Sequence, residues 1–214
     1  MKETIITQRK AHFYTQKCDK DTQSILMVLH GYGQLASDFI HEFKYLKSTS
    51  TVVIAPEALS KFYNKDKKAV ANWMTAHERL DEIEDYVFFL NKLYMQVQLT
   101  YPKLPIMVLG FSQGVSTLMR WISQLEKPPQ EIFLCSGSIP PELTISKVKG
   151  LKNITIHYQY GNNDRLLRIE KAKEQIDFLK RLQLTIHPFE FEGKHHLSKE
   201  LHDKLRMLSL SFEK

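Results

Sequence analysis

The chain has 214 residues, 43% hydrophobic and 25% charged, which excludes a disordered or fibrous protein and suits a single globular domain, residues 1–214. Its net charge of +6 is spread along the chain and mixed with acids, so it gives no nucleic-acid signature, and nothing approaches the roughly 18 apolar residues of a membrane span. The first eight residues lack an apolar leader core, and Cys18 and Cys135 stand in contexts that suggest no disulfide, which favours a cytoplasmic location.

In chain order, residues 5–13 supply a candidate antiparallel edge strand, followed by apolar, β-favouring runs at 25–29 and 51–55. The densest basic stretch, 61–68, reads as a solvated loop. Thr75-Ala76-His77-Glu78 has the form of a capping box, with Thr75 as N-cap and Glu78 reaching back. The helix it predicts carries Ile83, Val87, Leu90, Tyr94 and Val97 on one stripe and stops at Thr100-Tyr101-Pro102. A strand at 106–109 precedes Val115, Leu118, Met119, Ile122 and Leu125 at helical spacing. Strands follow at 131–135, 154–160 and 185–191, separated by a helix through Ala172, Ile176, Leu179 and Leu182. A last helix carries Leu201, Leu205 and Leu208 after a Ser198 N-cap. This alternation predicts a mostly parallel sheet covered on both faces, with ligands bound at the carboxyl ends of its strands.

At one such end stands Gly110-Phe111-Ser112-Gln113-Gly114. Gly-x-Ser-x-Gly between strand and helix is the nucleophile elbow of serine hydrolases. The turn is tight enough to strain the serine and lift its hydroxyl above the sheet, and a Cβ at either glycine would strike a neighbouring element. A buried turn serine would leave the paired glycines unexplained. A serine hydroxyl needs a base, usually a histidine oriented by a carboxylate. Gly161-Asn162-Asn163-Asp164 and Gly193-Lys194-His195-His196-Leu197 follow later strands, and the order Ser112, Asp164, histidine fits. For Asp164 the plain alternative is a turn former. Glu190 and Glu192 precede the histidines too closely to be the carboxylate. The main-chain N–H groups of Gln113, at a helix start, and Tyr32, in His30-Gly31-Tyr32-Gly33-Gln34, are the candidate oxyanion donors. His30 reads as a brace for that loop, and Cys135 as a core residue of its strand.

Together these residues resemble the α/β-hydrolase carboxylesterase/phospholipase family, which includes the acyl-protein thioesterases. The resemblance also rests on Ala55-Pro56-Glu57 and Asn72-Trp73-Met74, and it runs over nearly the whole chain. It implies an α/β-hydrolase fold, with a mostly parallel sheet flanked by helices on both faces and no lid domain. It implies cleavage of carboxylic esters or thioesters without any cofactor, so the expected partner is a small ester or acyl-lipid substrate. Composition and pattern add the expectation of no metal, no nucleic-acid partner and no integral membrane association, and the oligomeric state stays open. Ser112, Asp164 and a histidine carry over as a triad, with Tyr32 and Gln113 as oxyanion donors. Arg165 stands where members often have proline, and Lys194 where glycine tends to precede the histidine. The ungapped register through Leu197, Glu200 and Leu201 favours His195 over His196. Trp73, Met74, Phe111 and Leu167, with Ile139, are candidate acyl-pocket residues; Trp73 and Met74 fit core packing as well, and Phe111 a place beneath the elbow. The readings are a carboxylesterase working through an acyl-enzyme on Ser112, a lysophospholipase or acyl-protein thioesterase with the same machinery, or a hydrolase-like binding protein without chemistry.

Overall fold

Period-two alternation of apolar side chains builds the sheet. In β2 (Ser24–Leu29), Ile25, Met27 and Leu29 join one buried cluster while Leu26 and Val28 join another. β3 (Thr51–Pro56), β6 (Ile106–Phe111) and β7 (Glu131–Cys135) divide the same way, so both faces are buried and the strands read as continuous apolar runs. β8 (Thr155–Gly161) and β9 (Ile186–Phe191) complete one side, and β1 (Phe13–Gln16) the other edge. The computed structural model describes Met1 and residues 3–213; Lys2 and Lys214, the two positions of the chain outside that range, are not described.

The sheet order is β1-β3-β2-β6-β7-β8-β9, parallel except for β1. Helices α2 (Arg79–Thr100), α3 (Gln113–Ile122) and α4 (Ile169–Arg181) cover the face of Ile25 and Val108. The short α1 (Ala36–Phe39), the 3-10 stretch Ile40–Ser48 that continues it, and α5 (Lys199–Ser211) cover the other. This is the α/β-hydrolase fold. The chain leaves β3 on one side of β2 and resumes with β6 on the other, so the loops after β2 and β6 flank the switch point where such sheets bind ligands. Among the described residues no helix is long and apolar enough to cross a membrane.

Three expectations need correction. The edge strand is Phe13–Gln16, not residues 5–13: its partner β3 ends at Pro56, opposite Phe13, so Ile5 and Ile6 have nothing to pair with and lie exposed. The basic stretch 61–68 is largely a hairpin, β4 (Ser60–Tyr63) against β5 (Ala69–Asn72). Asn64 closes its turn, accepting the N–H groups of Asp66 and Lys68 while Lys67 takes a left-handed backbone at φ 57°. Lys61 alternates outward there and pairs with Glu57 at 2.6 Å. The capping box does not form. Helix α2 begins at Arg79, Glu78 is its left-handed N-cap residue at φ 52°, and Glu82, one turn into the helix, receives the Thr75 N–H and hydroxyl. The Ser198 cap does form: its hydroxyl accepts the Leu201 N–H at 3.0 Å.

Candidate active site

The elbow joins β6 to α3 in a single residue. Ser112 lies at φ 54°, ψ −117°, a conformation that L-residues adopt only when their surroundings enforce it. Its N–H is held by the Cys135 carbonyl at 2.9 Å, and its carbonyl accepts the Val115 N–H at 3.0 Å. Helix α3 starts so close to the sheet that a Cβ on Gly114 would stand 2.3 Å from the Leu29 oxygen, and one on Gly110 would stand 2.6 Å from the Gly114 oxygen. The loop after β2 also reaches the elbow, since a Cβ on Gly31 would meet that of Ser112 at 3.1 Å.

Asp164 and His195 are brought together across 31 residues. The Asp164 side chain is fully buried; its Oδ1 accepts the N–H groups of Leu166 (2.8 Å) and Leu167 (3.0 Å), and its Oδ2 accepts from His195 Nδ1 at 2.7 Å. With its proton held at Nδ1, the imidazole leaves Nε2 as a base. The His195 ring rests on Phe111, next to Ser112 in the chain, with centroids 5.0 Å apart. His196 turns aside and packs edge-on against Phe191. Glu190 accepts from the Tyr160 hydroxyl.

Asn162 was not expected to matter, yet its Oδ1 accepts the Gly193 N–H at 3.2 Å, and the Asn163 N–H donates to the Gly193 carbonyl at 2.9 Å, lacing the Asp164 loop to the His195 loop. The paired asparagines were the available signal, and turn chemistry absorbed it.

Gln113 opens α3, where a main-chain N–H has no intrahelical acceptor. Among the described residues neither it nor the Tyr32 N–H is taken by another group. His30 braces the Tyr32 loop from within: its Nδ1–H donates to the Gly31 carbonyl (2.7 Å), its Nε2 accepts the Ala58 N–H (3.1 Å), and its own carbonyl receives the Trp73 indole N–H (2.9 Å). Burial holds its pKa below the ordinary histidine value, against smaller upward pulls from the Gly31 carbonyl and Glu57.

The acyl-pocket candidates divide between the two faces of the sheet. Phe111 shares the β6 face of Met107 and Leu109, so it lies beneath the elbow, stacked on Phe39. Trp73, Met74, Leu167 and Ile139 belong to the opposite face. Trp73, 1% exposed, is core: its indole is engaged by His30 and packed on Tyr86, leaving no face for a ligand. Burial also pushes the Cys135 thiol far up, consistent with a core role. Among the described residues no cluster of His, Cys, Asp and Glu is suited to a metal.

The model of the phospholipase/carboxylesterase family matches residues 10–210. No curated protein matches the chain. Among solved structures, esterase PE8 is 18% identical with a TM-score of 0.73 over 95% of this chain and 100% of its own. Acyl-protein thioesterase 2 of Zea mays is 14% identical with a TM-score of 0.70 over 95% and 99%. A phospholipase/carboxylesterase of Dyadobacter fermentans is 18% identical with a TM-score of 0.68 over 96% and 99%.

Two outcomes are expected. Gly114→Ala forces α3 off the end of β2 and should cost about 1–3 kcal/mol, lowering the melting temperature by roughly 3–10 °C; an unchanged melt would mean the contact is slack. For His30 the folded pKa lies below the unfolded one, so the stability given by the neutral ring is present above about pH 6.5 and lost as pH falls through the folded value. His30→Gln should therefore be less stable than the parent by about 1–3 kcal/mol at pH 7.5, with the gap narrowing by pH 5.5 in denaturant titrations.

Proposed function

Since the chain belongs to the phospholipase/carboxylesterase family, we propose that it is a serine carboxylesterase, a single domain of residues 1–214 using Ser112, His195 and Asp164 as its triad. The observation that carries this reading is the 2.7 Å hydrogen bond from His195 Nδ1 to the buried Asp164 carboxylate, on a ring packed against the residue before the strained Ser112. Ser112 Oγ attacks the ester carbonyl while His195 Nε2 takes its proton. The oxyanion so formed receives the N–H groups of Tyr32 and Gln113, the second with the positive end of the α3 dipole behind it. Collapse of the intermediate expels the alcohol, which takes the proton back from His195, and leaves the acyl group on Ser112. Water activated by the same imidazole then releases the acid and restores the serine. Asp164 keeps the proton of the resting ring at Nδ1 and stabilises the imidazolium.

A second reading, longer acyl esters or thioesters, draws on a groove of about 550 Å³ beside Ile139, Pro141 and Phe178. The loop leading to it starts at Gly137, where a Cβ would stand 2.3 Å from the Ser112 carbonyl. Such a groove would accept a chain that a short-ester enzyme has no use for.

Ser112→Ala should abolish p-nitrophenyl butyrate turnover and labelling by a fluorophosphonate, with an unchanged melt. His195→Ala should lower kcat by about a thousandfold or more, whereas His196→Ala should stay within about threefold; the reverse ranking would transfer the base to His196. An acyl-chain series from acetate to palmitate decides between the readings. A kcat/KM that peaks at four carbons or fewer supports the esterase, and a rise toward long chains supports the second.

A further inference from the structure

Both expected oxyanion donors hang from one short stretch, residues 71–74. On the Tyr32 side, the Gly33 N–H donates to the Ala71 carbonyl (2.9 Å), the Ala71 N–H donates to the Gln34 carbonyl (3.1 Å), and the Trp73 indole holds the His30 carbonyl. On the Ser112 side, the contact is the carboxamide of Gln113. Its Oε1 accepts the Trp73 N–H at 3.1 Å, and its Nε2 donates to Asn72 Oδ1 at 2.7 Å and to the Met74 carbonyl at 2.9 Å. Both amide hydrogens and the oxygen are thus spent on three consecutive residues. From below, the Arg120 guanidinium touches Met74 Sδ at 3.5 Å and is itself held by Glu142 at 2.7 Å.

A residue needed only for its main-chain N–H would place no demand on its side chain. Oxyanion donors are effective only near 2.7–3.1 Å from the developing charge, and a hydrogen bond weakens steeply as its angle closes. The Tyr32 loop contains Gly31 and Gly33, the latter left-handed at φ 73°, and such a loop does not hold a donor to that tolerance unaided. We propose that the Gln113 side chain is a positioning residue. It ties the elbow to the stretch that also carries the Tyr32 loop, and so fixes the spacing of the two donors without touching substrate. This deepens the reaction proposed above and rests on it.

The test is Gln113→Glu, which has nearly the same shape but sets a carboxylate oxygen against two acceptors, Asn72 Oδ1 and the Met74 carbonyl. On p-nitrophenyl butyrate, kcat should fall about ten- to a hundredfold with KM within about twofold, because the loss is felt in the transition state alone. Affinity for an aryl trifluoromethyl ketone, whose serine adduct carries an oxyanion, should fall by the same factor. Gln113→Met, which keeps the length of the side chain and removes all three of its hydrogen bonds, should move kcat and analogue affinity in the same direction, and it decides the matter should Gln113→Glu not fold. Either folded variant with kcat within twofold of the parent, or with a lowered kcat and unchanged analogue affinity, overturns the proposal. A parent protein that takes no fluorophosphonate on Ser112 would sink the esterase reading itself, whereas a labelled, active parent with an indifferent Gln113→Glu sinks only this inference.

Discussion

The backbone of Ser112 is the constraint on which the rest depends. It keeps φ at 54° because β6 must end and α3 begin within one residue, with the helix start pressed on the last carbonyls of β2. That crowding has three results. The hydroxyl is lifted off the sheet, the N–H of the next residue opens a helix, and the side chain before it, Phe111, is pinned on the far face as a shelf for His195. Gly110 and Gly114 are the local conditions for this, and Gly137 is a distant one, giving the loop after β7 room to pass the Ser112 carbonyl. The strain is held by packing on both sides of the sheet, which is how proteins retain such conformations at sites that use them.

Much of the molecule was legible because burial on two faces leaves a dense signal. Five of the six apolar runs became strands within one residue of their expected limits, and β6 runs two residues further than expected, to Phe111. The elbow was legible for a different reason: a helix packed against strands demands glycines at fixed offsets, and the Asp164 and His195 loops carry glycines of their own where Gly161 passes the main chain of Gly193 and Lys194. What escaped was structure whose pattern is masked. In the hairpin of β4 and β5, Lys61 and Tyr63 point outward and the lysines of the turn crowd the sequence between the strands, hiding the apolar side of Phe62 and Val70. At Thr75 the local capping pattern was outbid by longer-range bonds: Asn72, Trp73 and Met74 are drawn over the elbow by Gln113, so the chain turns helical only later. The 3-10 stretch at Ile40–Ser48 buries Ile40, Phe43 and Leu46 at a spacing of three, a run too short to stand out from the polar residues between them.

The site also shows two histidines put to opposite uses by their surroundings. His30 is sealed in the core with one nitrogen donating and one accepting, so a proton added to it would break the Ala58 contact. His195 keeps an edge open, at 19% side-chain exposure, and finds its partner in a carboxylate that sees no solvent. A carboxylate buried that deeply is stable only because two main-chain N–H groups and the imidazole satisfy it. Identity of residue type therefore says little; what differs is which hydrogen-bonding valences the fold has already used.

One consequence follows from the pairing of β8 with β9. Gly161 and Phe191 stand opposite one another in the parallel register, and the loops beyond them are laced through Asn162, Asn163 and Gly193. The separation of carboxylate from imidazole is accordingly a property of adjacent strands and owes nothing to the length of the crossover between them. That crossover, from helix α4 onward and beyond the Leu166–Leu167 turn that holds Asp164, is a place where descendants of this chain can gain or shed whole turns, or accept an inserted module, while the two groups stay in register.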